Sequence, residues 1–146
     1  MNELQLREAT PNDARVIAEL LAELGYPPDP ADIPARIEAV RREGGNVFLA
    51  VDSTDSPVGL MALSRHTAIH TPRPVAYIDA LVTSSEARRR GVGRFLVSEA
   101  KRWAANEGCA RLTLTSAEHR AAAHEFYPSC GMPYTGRRYA TSIDTR

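Results

Sequence analysis

The sequence has little of four things, and each shortage removes a class of protein. It holds two cysteines, Cys109 and Cys130, in 146 residues. That is too few for a disulfide framework, so both are expected to be reduced thiols in a cytoplasmic protein. It has no excess of charge of either sign: 18 basic residues balance 18 acidic ones. A global basic field of the kind that draws proteins to nucleic acid is therefore absent. Aromatic residues make up only 6% of the chain, which leaves few rings for stacking bases. No apolar run approaches the ~20 residues that a membrane span needs. The start, Met1-Asn2-Glu3-Leu4, has neither the basic stretch nor the apolar run of a signal peptide. No nucleic-acid or membrane partner is expected.

What is present is ordinary globular material with one unusual stretch. The length suits a single domain over residues 1–146, and 43% apolar content can fill one core. No repeat, linker or low-complexity tract stands out. The unusual stretch is Arg88-Arg89-Arg90-Gly91-Val92-Gly93-Arg94. It lies between a strand-like run, Val75–Thr83, and an amphipathic helical run, Val92–Asn106. A glycine turn that opens a helix gathers unpaired backbone N–H groups at the positive end of the helix dipole. Such a place binds phosphate or pyrophosphate, and the arginines add bidentate donors. It is not a P-loop, because Gly93 is followed by Arg94-Phe95. It is not a dinucleotide fingerprint, because Leu96 stands where a third small residue is needed.

Periodicity supplies the rest of the order. Leu4–Glu8 alternates as a first strand. Thr10-Pro11-Asn12-Asp13 is a capped helix start, and Val16, Ile17, Leu20, Leu21 and Leu24 give that helix one apolar face until Gly25. Tyr26–Pro30 cannot be helical throughout. A second helix is predicted near Asp32–Glu43. Asn46–Val51 and Val58–Leu63 read as a hairpin about the Asp52–Pro57 turn. Ser64–Pro74 is a long connection. After the central strand and its helix, Arg111–Thr115 is a strand expected to pair in parallel. A last helix is predicted from about Arg120 to Tyr127, and Arg138–Ile143 is expected to close the sheet.

Two motifs then carry a resemblance over roughly the whole chain. Arg88-x-x-Gly91-x-Gly93 resembles the acetyl-CoA pyrophosphate loop of the GNAT N-acetyltransferase superfamily, and Ala80-Leu81-Val82-Thr83 precedes it as the cofactor strand does there. Ala123-x-x-Phe126-Tyr127-x-x-x-Gly131 resembles that superfamily's second signature. The resemblance implies an α/β (α+β) fold: a mixed, twisted central sheet with helices on both faces, in the order β-α-α-β-β-β-α-β-α-β. It implies acetyl-CoA as co-substrate, seated where the central strand and the next splay apart. Backbone groups of Leu81, Val82 and Thr83 would pair with the pantetheine. Arg88, Arg89, Arg90, Gly91, Val92, Gly93 and Arg94 would hold the pyrophosphate. Tyr127 would contact the cofactor and act as general acid, since a phenol stays protonated at neutral pH.

The implied activity is acetyl transfer to a primary amine, of a small molecule rather than of a protein N-terminus or lysine, by direct attack in a ternary complex. A non-catalytic CoA-binding sensor on the same scaffold is the alternative of another class. Two residues depart from the family pattern. Pro128 is expected to bias Tyr127 away from helical geometry. Arg120 stands where the family has an asparagine that contacts the cofactor. Asp79 interrupts the apolar run Tyr77–Leu81 and reads either as a base, its pKa raised by burial, or as a structural carboxylate. His66 and His70, or His119 and His124, form no convincing metal site, and none is expected. His66 or His119 could serve as a base near the acceptor, though surface positions suit them. A homodimer is admitted but not required.

Overall fold

A computed structural model describes residues 3–87, 90–115 and 121–143. The chain divides into two compact units, residues 1–114 and 115–146.

The first unit is built on one five-stranded sheet in the order β1-β2-β3-β4-β5. β1 is Gln5–Glu8, β2 Asn46–Val51, β3 Pro57–His66, β4 Val75–Thr83 and β5 Arg111–Leu114. The first four are antiparallel, and β5 joins β4 in parallel. That parallel pair needs a crossover, which the helix α3 (Val92–Asn106) provides. The helices α1 (Ala14–Leu24) and α2 (Ile33–Arg42) connect β1 to β2.

The sheet is buried on both sides because β2 alternates between two cores. Val47 and Leu49 join Ile17, Leu20, Ile33 and Ile37 of α1 and α2. Phe48 and Ala50 join Val92, Leu96 and Ala100 of α3. A strand covered on both faces reads as a continuous apolar run, as Val47–Val51 does. The mixed sheet with helices on both faces agrees with the sequence expectation. α3 lies close on β3 because Gly59 has no side chain: a Cβ there would stand 2.7 Å from Val92 Cγ1. The first turn of α3 is thereby seated against the sheet.

β3 runs past its predicted end at Leu63. Its ladder with β4 continues through Ser64↔Tyr77, Arg65↔Ala76 and His66↔Val75. Polar residues extend the strand because β4 offers them a backbone ladder, through the buried Ala76 and Val75 and the half-buried Tyr77. Part of the predicted Ser64–Pro74 connection is therefore sheet.

The capped start at Thr10 is tied down by an ion pair that sequence patterning missed. Arg7 on β1 donates two hydrogen bonds to Asp13, at 2.9 and 3.0 Å, and the Thr10 N–H donates a third at 2.7 Å. Asp13 is buried, and the Arg7 bonds hold its pKa below the usual carboxylate range against the opposing effect of burial. A depressed pKa means stability that is present above the unfolded value of ~3.9 and lost as pH falls through the folded one. Asp13→Ala strands Arg7 and uncaps the turn. It is expected to cost about 2 kcal/mol in urea unfolding at pH 7 and to lose that difference as the pH falls through the depressed folded-state pKa of Asp13.

In the second unit, α4 spans Ala121–Ser129 and includes Pro128. The expectation that Pro128 takes Tyr127 out of helical geometry is not met. Proline removes only its own N–H, and the turn that follows closes regardless. Gly131 N–H bonds to the Pro128 carbonyl and Met132 N–H to the Tyr127 carbonyl, both at 3.0 Å. This is a Schellman ending, with Gly131 at φ +83°. The predicted closing strand at Arg138–Ile143 is also corrected: residues 132–143 form no strand. A strand needs a ladder partner, and among the described residues the sheet ends at β5. Tyr134, Tyr139 and Ile143 are left exposed.

Candidate active site

The site begins where β4 loses its neighbour. The β4–β5 ladder runs from Val75↔Arg111 to Ile78↔Leu114 and stops. β4 continues through Asp79, Ala80, Leu81, Val82 and Thr83, paired only with β3 among the described strands. The break coincides with a bulge. Ala62 faces Ala80 and Leu63 faces Ile78, so Asp79 is the extra residue with no partner opposite. A bulge bends its strand and increases local twist, which turns the rest of β4 away from the line of β5. Among the described strands none pairs with the Leu81–Thr83 edge on that side, as an added strand-like ligand would require.

That edge leads into the arginine–glycine turn. After Thr83 a short 3-10 turn, Ser85–Ala87, carries the chain to Arg90 and Gly91. The turn is moored from the other side of the molecule: Ser85 N–H donates to Glu23 Oε1 at the end of α1, at 3.0 Å. Gly91 caps α3 in the left-handed region, φ +78°, and a Cβ there would meet nothing within 4 Å. The side where a side chain would stand is therefore open space. The first intrahelical bond of α3 runs from Phe95 N–H to the Gly91 carbonyl, 3.0 Å. The N–H groups of Val92 and Gly93 precede it and point out of the helix end.

Arg90 ties the turn to a neighbouring element. Its Nη2 lies 3.6 Å from Asp52 Oδ2 at the β2–β3 turn. Asp52 is held down to about 2, first by the Thr54 hydroxyl and then by the Ser56 N–H, so it stays charged at every relevant pH. Arg90 thus fastens the glycine turn to the neighbouring hairpin. Arg88 and Arg89 lie outside the described residues, as do Arg120 and His119.

Asp79 reaches solvent, yet neighbouring atoms desolvate its carboxyl enough to push its pKa up, while a hydrogen bond from Ser64 opposes the shift. Ser64 and Tyr77 are ladder partners, and His66 stacks on Tyr77 with ring centroids 5.0 Å apart at 19°. Sequence reasoning overlooked Ser64 and Tyr77. The alternation Tyr77-x-Asp79 within a strand was the available signal. Tyr127, in the other unit, lies within α4, its ring edge-on to Phe126 at 5.1 Å.

Comparison with known proteins settles the class. The sequence profile of the Acetyltransferase (GNAT) family matches residues 14–132. The chain belongs to this family. It is a GNAT acetyltransferase, an acyltransferase whose fold and loop suit acetyl-CoA. An uncharacterized N-acetyltransferase of Bacillus subtilis, YhdJ, is 30% identical over 128 residues, 87% of this chain and 86% of that one. A putative acetyltransferase from Agrobacterium tumefaciens is 30% identical with a TM-score of 0.78, covering 97% of this chain and 99% of that one. An aminoglycoside N-acetyltransferase solved in complex with CoA shares the fold at 17% identity, with a TM-score of 0.84 over 99% and 97% of the two chains.

Among the described residues of this GNAT chain, no three His, Cys, Asp or Glu side chains gather as a metal site. No described helix is long and apolar enough to cross a membrane.

Proposed function

We propose that this GNAT acetyltransferase acetylates the primary amine of a small molecule by direct attack in a ternary complex. The observation that carries the reading is the continuity of two features: the β4 edge from Asp79 to Thr83, beyond the end of its ladder with β5, and the α3 N-terminus with open space at Gly91. The first suits an extended amide chain, the second a pyrophosphate. Acetyl-CoA, when bound, supplies the acetyl thioester. Leu81, Val82 and Thr83 offer it backbone donors and acceptors. Arg88 to Arg94 receive its phosphates.

Asp79 takes a proton from the acceptor's ammonium group, directly or through water, and the amine so freed attacks the thioester carbonyl. The Tyr127 hydroxyl gives a proton to the departing sulfur. No cysteine of the chain serves as acyl carrier in this reading. Burial pushes the Cys109 thiol pKa up, which lowers its thiolate fraction. Neither cysteine is in a disulfide, which suits a cytoplasmic enzyme. The reading involves no metal, nucleic acid or membrane.

The direct test is a screen of primary amines, lysine peptides and N-terminal peptides, following release of free CoA. Turnover with a small amine is expected. CoA binding without turnover of any amine would instead favour a sensor.

Asp79→Asn separates a base from a scaffold residue. In wild type the acidic limb of the kcat/KM–pH profile should lie above the ordinary carboxylate value of ~3.9, because the pKa of Asp79 is raised. In Asp79→Asn the rate should fall about 100-fold and that limb should flatten. A raised pKa also means that ionising Asp79 costs folding stability as pH rises through it. The variant should therefore keep its Tm at pH 7 or gain slightly. An unchanged profile shape with one amine would remove Asp79 from catalysis.

A further inference from the structure

The face of the sheet beside Asp79 carries a feature that acetyl transfer does not itself require. Leu63 and Ile78 point into the α3 core. Strand alternation therefore sends Ser64, His66 and Tyr77 to the opposite face. Alternation from Ile78 turns Asp79, the bulged residue, to that same face beside Ser64. Four side chains thus share one face at the exposed end of β3 and β4: a carboxylate and a hydroxyl, and with them two rings stacked nearly parallel.

Each half of this group selects a different part of a ligand. A carboxylate with an aromatic ring two residues away receives an ammonium group, through charge and through the ring's negative face. A near-parallel ring pair presents flat surface, which rewards another planar ring and gives an alkyl chain little more than its area. Tyr77 is half-buried while His66 is exposed, so the inner ring is held in place and the pair stays open to solvent. Successive residues on one face of a strand are about 6–7 Å apart. That distance sets how far the ligand's ring and its nitrogen should be separated.

We propose that the acceptor is an arylalkyl primary amine, its nitrogen at Asp79 and its ring on the His66–Tyr77 pair, with a spacer of about two or three carbons. This rests on Asp79 marking the acceptor side of the acetyl-transfer site. His66 is then a specificity residue and takes no part in proton transfer.

The test uses the full chain and measures free CoA release with three acceptors: phenethylamine, hexylamine and a lysine peptide. Phenethylamine is expected to exceed both others in kcat/KM by about 10-fold. His66→Ala should raise KM for phenethylamine about 3- to 10-fold and leave the KM of hexylamine and of acetyl-CoA unchanged. His66→Phe should restore the phenethylamine KM, which a merely structural role for His66 would not predict. Equal turnover of aryl and alkyl amines, or an equal effect of His66→Ala on both, overturns this inference and leaves acetyl transfer standing. A preference for the lysine peptide does the same. If CoA binds and no amine is acetylated, the parent reading fails and takes this one with it.

Discussion

Gly91→Asp is expected to abolish binding of CoA and acetyl-CoA alike, lowering affinity at least about 100-fold by calorimetry. The glycine sits at φ +78° with open space where its Cβ would be. In the proposed reading a side chain there enters the volume of the pyrophosphate, and a carboxylate adds like charge at close range. Conformational strain alone would be a weaker explanation, so Gly91→Asn is the control. Asparagine and aspartate both visit the left-handed region at modest cost. Asparagine brings bulk without charge and should lose markedly less affinity than aspartate. Gly93→Asp should behave like Gly91→Asp, because Gly93 is in the first turn of α3 and its N–H faces the same point. Undiminished CoA binding in both aspartate variants would remove the basis for placing the pyrophosphate at this turn.

Tyr127→Phe should lower kcat by about 10²–10⁴-fold while leaving acetyl-CoA affinity nearly unchanged. The substitution removes one hydroxyl and little else. The backbone of residue 127 accepts the Met132 and Cys130 N–H bonds that end α4, and phenylalanine keeps both. The edge-on packing against Phe126 is also kept. The helix ending and the ring packing are thus kept in the variant. The loss should concern kcat because the thiolate carries its charge only as the bond to sulfur breaks. Wild-type kcat in Tyr127→Phe would return Tyr127 to a packing role. Pro128→Ala offers a second reading of the same helix. Since α4 passes through Pro128 and closes at Gly131 without it, this change should leave kcat within about 2-fold.

Much of the fold was legible because local rules and packing agree. Asn46–Val51, Val75–Thr83 and Val92–Asn106 are found with the predicted bounds. In each, the apolar period of the sequence matches the faces that are in fact buried. The glycine turn was legible for a different reason: opening a helix is a backbone event, and the residues that permit it are few. Where prediction failed, a non-local partner decided. β3 extends to His66 because β4 is there to pair with it. Arg138–Ile143 is no strand because none of the described strands pairs with it. Pro128 stays helical because two later N–H groups close the turn around it.

The sequence by itself determined the order of elements through α4 and the place of the glycine turn, which follow from periodicity and from turn chemistry within about ten residues of chain. The fold class came with the two motifs that resemble the GNAT superfamily. Only the tertiary structure decided which side chains meet. The bulge that isolates Asp79, the Ser64 bond to it and the stack of His66 on Tyr77 all depend on the register between β3 and β4. A one-residue slip would send each of these side chains to the other face, and nothing local to either strand sets that register. It is set by the two cores the sheet must fill at once.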